Sequence, residues 1–129
     1  MSFNYVISGK IYDRSWLSIS LIYYDILMIV MVFSKLISEA EIVLRHLEVL
    51  QAVLEKQPIG IFKLSDILNM PKHRVRYSLR VLEQSGIIVP TQYGAMVKDE
   101  GYEKIEQLKA DLEKIKGLLA QIEEVIKKF

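Results

Sequence analysis

Apolar and polar positions alternate with a different rhythm in each part of the chain, and each change of rhythm predicts an element. Val75, Leu79 and Leu82, with Ser78 among them, fall at i, i+4 and i+7 and predict a helix from Pro71 to Ser85 with one buried stripe. Pro71 suits the first helical turn, where its missing N–H has no partner to lose, and Ser85-Gly86 supplies a stop. Just upstream, Leu64, Ser65 and Leu68 form a short amphipathic segment. Asn69 stands where the chain must turn out of it, and Asn tolerates the left-handed conformation. Met70 offers an apolar plug before Pro71 restarts the chain, which is helix-turn-helix spacing. After Gly86, Ile87 to Val89 and Ala95 to Val97 enclose the turn-rich stretch Pro90 to Gly94, and a hairpin is expected.

The flanks are longer helices. From Ser34 to Lys56, Leu36, Ala40, Val43, Leu47, Leu50 and Leu54 recur at spacings of four and three, and Gln57-Pro58 and Gly60 end the run. Ser38 and Glu41 have capping-box spacing, so a start at Ser38 is the alternative. Beyond a polar break from Lys98 to Gly101, a helix runs to Phe129. Its Ile105, Leu108, Leu112, Ile115, Leu119, Ile122, Ile126 and Phe129 form a coiled-coil seam. That seam is about 36 Å long by helix rise and outruns a domain of this size, so it predicts a homodimer rather than a helix folded back on its own domain. Parallel and antiparallel pairing both stay open, because Asp111 and Lys116 would attract in a parallel pair whereas Lys104 and Lys109 would repel. Leu118 and Val125 widen the stripe, which predicts a second helix packing there, with Leu36 to Leu54 the candidate.

Residues 1–32 read differently. Tyr5 to Ile7 and Lys10 to Tyr12 flank Ser8-Gly9 as a hairpin would, and Trp16 to Phe33 is apolar except at Ser18, Ser20 and Asp25. Three readings fit this stretch: a membrane span, a strand or helix packed within a soluble dimer, or a translated leader ahead of a start at Met28 or Met31. Asp25 counts against the span, at about 2.5–3.5 kcal/mol near a bilayer centre. No small-residue cleavage site follows the apolar run, which argues against a secretory signal.

Charge changes the picture only when it is divided. The whole chain carries a net +1, yet residues 58–98 hold six basic and two acidic side chains, while residues 99–129 hold six and eight. A local field of that sign attracts phosphate even when the total is near zero. Cysteine is absent, which removes disulfides and the common zinc sets and fits a cytoplasmic protein. Only His46 and His73 represent histidine, the glycines stand singly, and the carboxylates are scattered, so no catalytic constellation assembles and no enzyme is expected. No cofactor, metal or small-molecule ligand is implied by linear order. His46 reads as a partly exposed polar residue of the first long helix.

The helix from Pro71 therefore carries the chemistry. Lys72, His73, Arg74, Arg76, Tyr77 and Arg80 occupy its outer side, with no carboxylate before Glu83. A solvated face ordinarily mixes signs, and this one does not. Lys72, His73 and Arg74 lie in the first turn, where the helix dipole favours an anion, and arginine is shaped for bidentate contact with guanine.

The residues L-S-x-x-L-N-M-P (Leu64 to Pro71), V-x-x-x-L-x-x-L (Val75 to Leu82) and S-G-I-I (Ser85 to Ile88) resemble a winged helix-turn-helix domain. The segment from Ile59 to Ile88 is similar to archaeal proteins described as predicted helix-turn-helix transcriptional regulators. The resemblance implies a mainly α fold with a small β-hairpin wing from Ile87 to Val97, a DNA-reading helix from Pro71, and double-stranded DNA as partner. It departs at the wing tip, where Thr91, Gln92 and Tyr93 replace the basic residues that many wings carry. The expected organisation is an apolar segment at 1–32, a winged helix-turn-helix domain at 33–98 and a dimerisation helix at 99–129. A protein-interaction adaptor without DNA binding is the alternative.

Overall fold

A computed structural model describes the backbone of residues 4–7 and 10–129 and the side chains of residues 27–129. The chain divides into two compact units, Met1–Val43 and Leu44–Phe129. In the first, β1 (Asn4–Ile7) pairs antiparallel with β2 (Lys10–Asp13) as the sequence anticipates, with Tyr5 opposite Tyr12. Helix α1 (Arg14–Lys56) then runs across the division. Starts at Ser34 or Ser38 are thereby corrected: no glycine or proline lies between Arg14 and Lys56, and Ser38 sits inside the helix rather than capping one. Among the described residues no helix is long and apolar enough to cross a membrane. The side chains of residues 16–26, most of the stretch on which span, packed segment and leader compete, lie outside the described residues.

The second unit is mainly helical with a small hairpin. After the end of α1 come α2 (Ile61–Leu68), α3 (Lys72–Gln84), β3 (Ile88–Thr91), β4 (Gly94–Val97) and α4 (Asp99–Ile126). Its core draws Val49, Leu50, Ala52 and Val53 from α1, Leu64 from α2, Val75 and Leu82 from α3, and Ile59, Ile87, Ile88, Ala95 and Val97 around the hairpin. Leu47, expected in the buried run of α1, is 41% exposed. Leu50 of that run is buried and Leu54 packs against the core, as expected, and Val49, Ala52 and Val53 beside them complete the buried face.

The α2–α3 connection follows its sequence closely. Asn69 caps α2 in the left-handed conformation, φ 48° and ψ 46°, and the Met70 N–H returns to the Ser65 carbonyl at 3.1 Å. The Ser65 hydroxyl donates to the Met70 carbonyl at 2.6 Å, which locks the turn from inside, and the Met70 side chain packs on the core. Pro71 caps α3, with the Arg74 and Val75 N–H groups both reaching its carbonyl.

The hairpin is tighter than expected. Pro90 and Thr91 are strand residues, and Gln92 and Tyr93 alone form the turn, because Thr91 lies opposite Gly94 and Gly94 adopts φ +127°. Ile59 adds a single antiparallel bridge beside β4, with the Ala95 N–H donating to the Ile59 carbonyl at 2.7 Å. Helix α4 begins at Asp99, earlier than its polar start suggests, with Asp99 and Glu100 in the first turn where the helix dipole favours acids. It ends at Ile126, leaving Phe129 96% exposed.

The left-handed cap yields a prediction. Asn69→Gly should leave thermal stability nearly unchanged, whereas Asn69→Val should cost about 1–2 kcal/mol in denaturant unfolding, since a β-branched residue resists positive φ. Equal losses from both variants would mean that the Asn69 side chain, not its backbone angle, holds the turn.

Candidate nucleic-acid interface

Three positions of α3, Val75, Ser78 and Leu82, are buried, and everything basic on the helix is thereby turned outward. Lys72, His73, Arg74, Arg76, Tyr77 and Arg80 are all exposed. They do not form the single stripe expected of them. Arg76 and Arg80 line a cleft between α3 and the β3–β4 hairpin, whereas Tyr77 leans the other way, its ring 5.5 Å from that of His46. The Lys72 ammonium sits 4.2 Å above the Phe62 ring of α2, a cation–π contact that steadies it at the start of α3. Residues spaced by one, two and four positions on a helix spread over most of its circumference, so a helix with only a narrow buried stripe displays its charges over a wide arc.

Gln92 and Tyr93 stand at the hairpin tip and line the same cleft as Arg76 and Arg80. The Thr91 hydroxyl holds the tip, donating to the Gly94 carbonyl at 2.7 Å and accepting from the Tyr93 N–H at 3.2 Å. Tyr93 is 74% exposed. Among the described residues, no arginine of α3 forms an ion pair; the pairs that exist, Glu106–Lys109, Glu113–Lys116 and Lys127 with Glu123 and Glu124, all lie within α4 and the turn that ends it.

Comparison with protein-family models and with curated proteins gives no match. The residues themselves carry the reading.

Of the seam on α4, Ile105 packs against the core and Ile122 is half-buried, while Leu108, Leu112, Ile115, Leu119 and Ile126 are each 41–53% exposed. Leu118 and Val125 are exposed beside them, so within the second unit no helix among the described residues covers this stripe.

One pair escaped the sequence reading. His46 Nδ1 and the Ser78 hydroxyl share a hydrogen bond of 2.8 Å between α1 and α3, and Ser78 is wholly buried. The signal was present: His46 precedes Val49 by three and Val53 by seven, so it falls on the core face of α1, and Ser78 falls on the core face of α3. Two polar side chains on facing apolar stripes must find each other or remain unsatisfied. Burial lowers the His46 pKa from its ordinary value, and the neighbouring Arg45 charge adds to the effect. A neutral ring with its proton on Nε2 accepts the Ser78 hydroxyl proton.

The sign of the pH effect follows. The unfolded chain binds the His46 proton before the folded one does, so the stability linked to neutral His46 is complete above the ordinary value of about 6.5 and is lost as pH falls through the lower folded value. Between about pH 7.5 and pH 5.5, the unfolding midpoint of the native chain should fall more than that of His46→Gln. Parallel curves would show that protonation of this ring is not linked to folding.

Proposed function

We propose that this chain is a sequence-specific DNA-binding transcriptional regulator of the winged helix-turn-helix type. In this reading α3 enters the major groove of double-stranded DNA, the β3–β4 hairpin is the wing, and α4 pairs two copies into a homodimer. The observation that carries it is the display on α3 of Lys72, Arg74, Arg76 and Arg80, all exposed, with the arginines unpaired among the described residues. Four cations on a rigid helix, held by a short turn against a second helix, suit phosphate and guanine contact. The exposed start of α3 adds dipole attraction for an anion. Two copies related by the α4 seam would meet two half-sites of a pseudo-palindromic operator.

The uncharged tip, Gln92 and Tyr93, favours a second reading in which the same fold is a protein-interaction adaptor. An adaptor has no use for four cations on one helix, and mutagenesis separates the two. Arg74→Ala and Arg76→Ala should each weaken binding to a cognate duplex by about 1–3 kcal/mol with the unfolding midpoint nearly unchanged. A variant that loses only a phosphate contact should weaken binding on all sequences alike and lower the salt slope by about one. Unaltered affinity in both variants would remove α3 from the interface.

The dimer has its own test. Replacing Leu112 and Leu119 together by Glu should convert the dimer to a monomer in sedimentation, because a charge in a coiled-coil seam loses its hydration without gaining a partner. An unchanged sedimentation coefficient would place the dimer contact elsewhere.

A further inference from the structure

We propose that the cleft between α3 and the β3–β4 hairpin binds a small organic anion with an apolar body, and that its occupancy opposes DNA binding. The second clause rests on the function proposed above, and the first does not.

The cleft has a volume of about 590 Å³, within the range of roughly 300–1,000 Å³ usual for small-molecule sites. Its floor is apolar: Ile88 is buried, and Leu79 is half-buried against the core. Tyr93 and Phe62, both largely exposed, supply aromatic walls at the hairpin tip and at the start of α2. Arg76 and Arg80 supply two guanidinium groups one helical turn apart on the same side. Glu83 also lines the cleft but lies within ion-pair distance of neither arginine, so the lining keeps a positive balance.

These features select a ligand by class. A neutral apolar molecule would leave the guanidinium groups without an anion, and a bare phosphate would leave the apolar floor wet. An anionic head on an aromatic or aliphatic body satisfies both, because guanidinium takes carboxylate in bidentate geometry while the body displaces water from Leu79 and Ile88. Arg76 and Arg80 are also among the side chains assigned to DNA. A ligand that occupies them removes two cations from the phosphate interface and fills the space beside α3.

The test uses the isotope-labelled full chain, observed by amide NMR, with three probes: phenylbutyrate, phenylbutanol and inorganic phosphate. Phenylbutyrate should shift the amides of Gly60, Leu79 and Gln92 to Ala95 saturably, and each of the other two should bind about tenfold more weakly at those amides. Arg76→Gln and Arg80→Gln, both at exposed positions, should each weaken phenylbutyrate about tenfold while the unfolding midpoint stays put. Equal binding of phenylbutanol, or saturable shifts confined to α1 or α4, would overturn the site. Phenylbutyrate at saturation should then raise the dissociation constant for a cognate duplex, and an unchanged constant would overturn its opposition to DNA. Probe binding at the cleft in a chain that binds no duplex would leave the site standing and reject the DNA-binding reading instead.

Discussion

The orientation of α3 is set by what it must bury. Val75, Ser78 and Leu82 are closed to solvent in the same core as Val49, Val53 and Leu64. Each fully buried aliphatic side chain contributes about 1.5–3 kcal/mol. Rotating α3 by one residue, about 100°, would expose that stripe and bring Arg74 or Arg76 toward Val49 and Val53. An arginine there would lose its hydration with no carboxylate to replace it. The outward display of cations is therefore not a separate property of the helix. It is what remains once the core has taken its three positions, and the His46–Ser78 hydrogen bond adds direction to an otherwise apolar contact.

The hairpin is placed by close backbone contacts as well as by the core side chains Ile88, Ala95 and Val97. A Cβ on Gly94 would lie 2.6 Å from the Ile59 carbonyl oxygen, so β4 can close on Ile59 only because residue 94 has none. Gly101 plays the same part for α4: a Cβ there would overlap the Ile87 carbonyl, and the Lys98 N–H already bonds to that oxygen at 2.9 Å. Gln57 adds a side-chain clip, its Oε1 accepting the Val97 N–H at 2.8 Å. Close main-chain contacts thus hold β4 at Ile59 and the start of α4 at Ile87. Ile59 and the hairpin are also walls of the cleft that Arg76 and Arg80 line.

The elements with local signals were legible in the sequence. The stripe of α3, the Asn69 turn and the hairpin each depend on residues within a few positions of one another, where propensity and capping act directly. The face of α1 was legible only in part: Leu50 and Leu54 of the ladder pack, whereas Leu36, Val43 and Leu47 are exposed and Val49, Ala52 and Val53 take up the rest of the core face. Choosing between them requires knowing which element arrives, which is long-range information. His46 was rightly read as a partly exposed polar residue, but its partner appears only when α3 brings Ser78 to it. The six candidate side chains on α3 were rightly placed outside, but their division between the cleft and the His46 side depends on the hairpin, whose position the linear pattern does not encode.

Charge is partitioned between helices as well as between faces. Lys109 and Lys116 of α4 and Lys127 just beyond it pair with glutamates three or four positions away, and every partner is well exposed, so these pairs add little stability. Among the described residues no carboxylate pairs with an arginine of α3. An anion approaching α3 meets guanidinium groups that have not been neutralised in advance, and this holds equally for a phosphate backbone and for a small carboxylate. Because Arg76 and Arg80 belong to both surfaces, the two ligands would compete for one pair of charges, and each must weaken the other by the same factor. Coupling of that kind requires no conformational change in α3, only that both anions need the same two side chains.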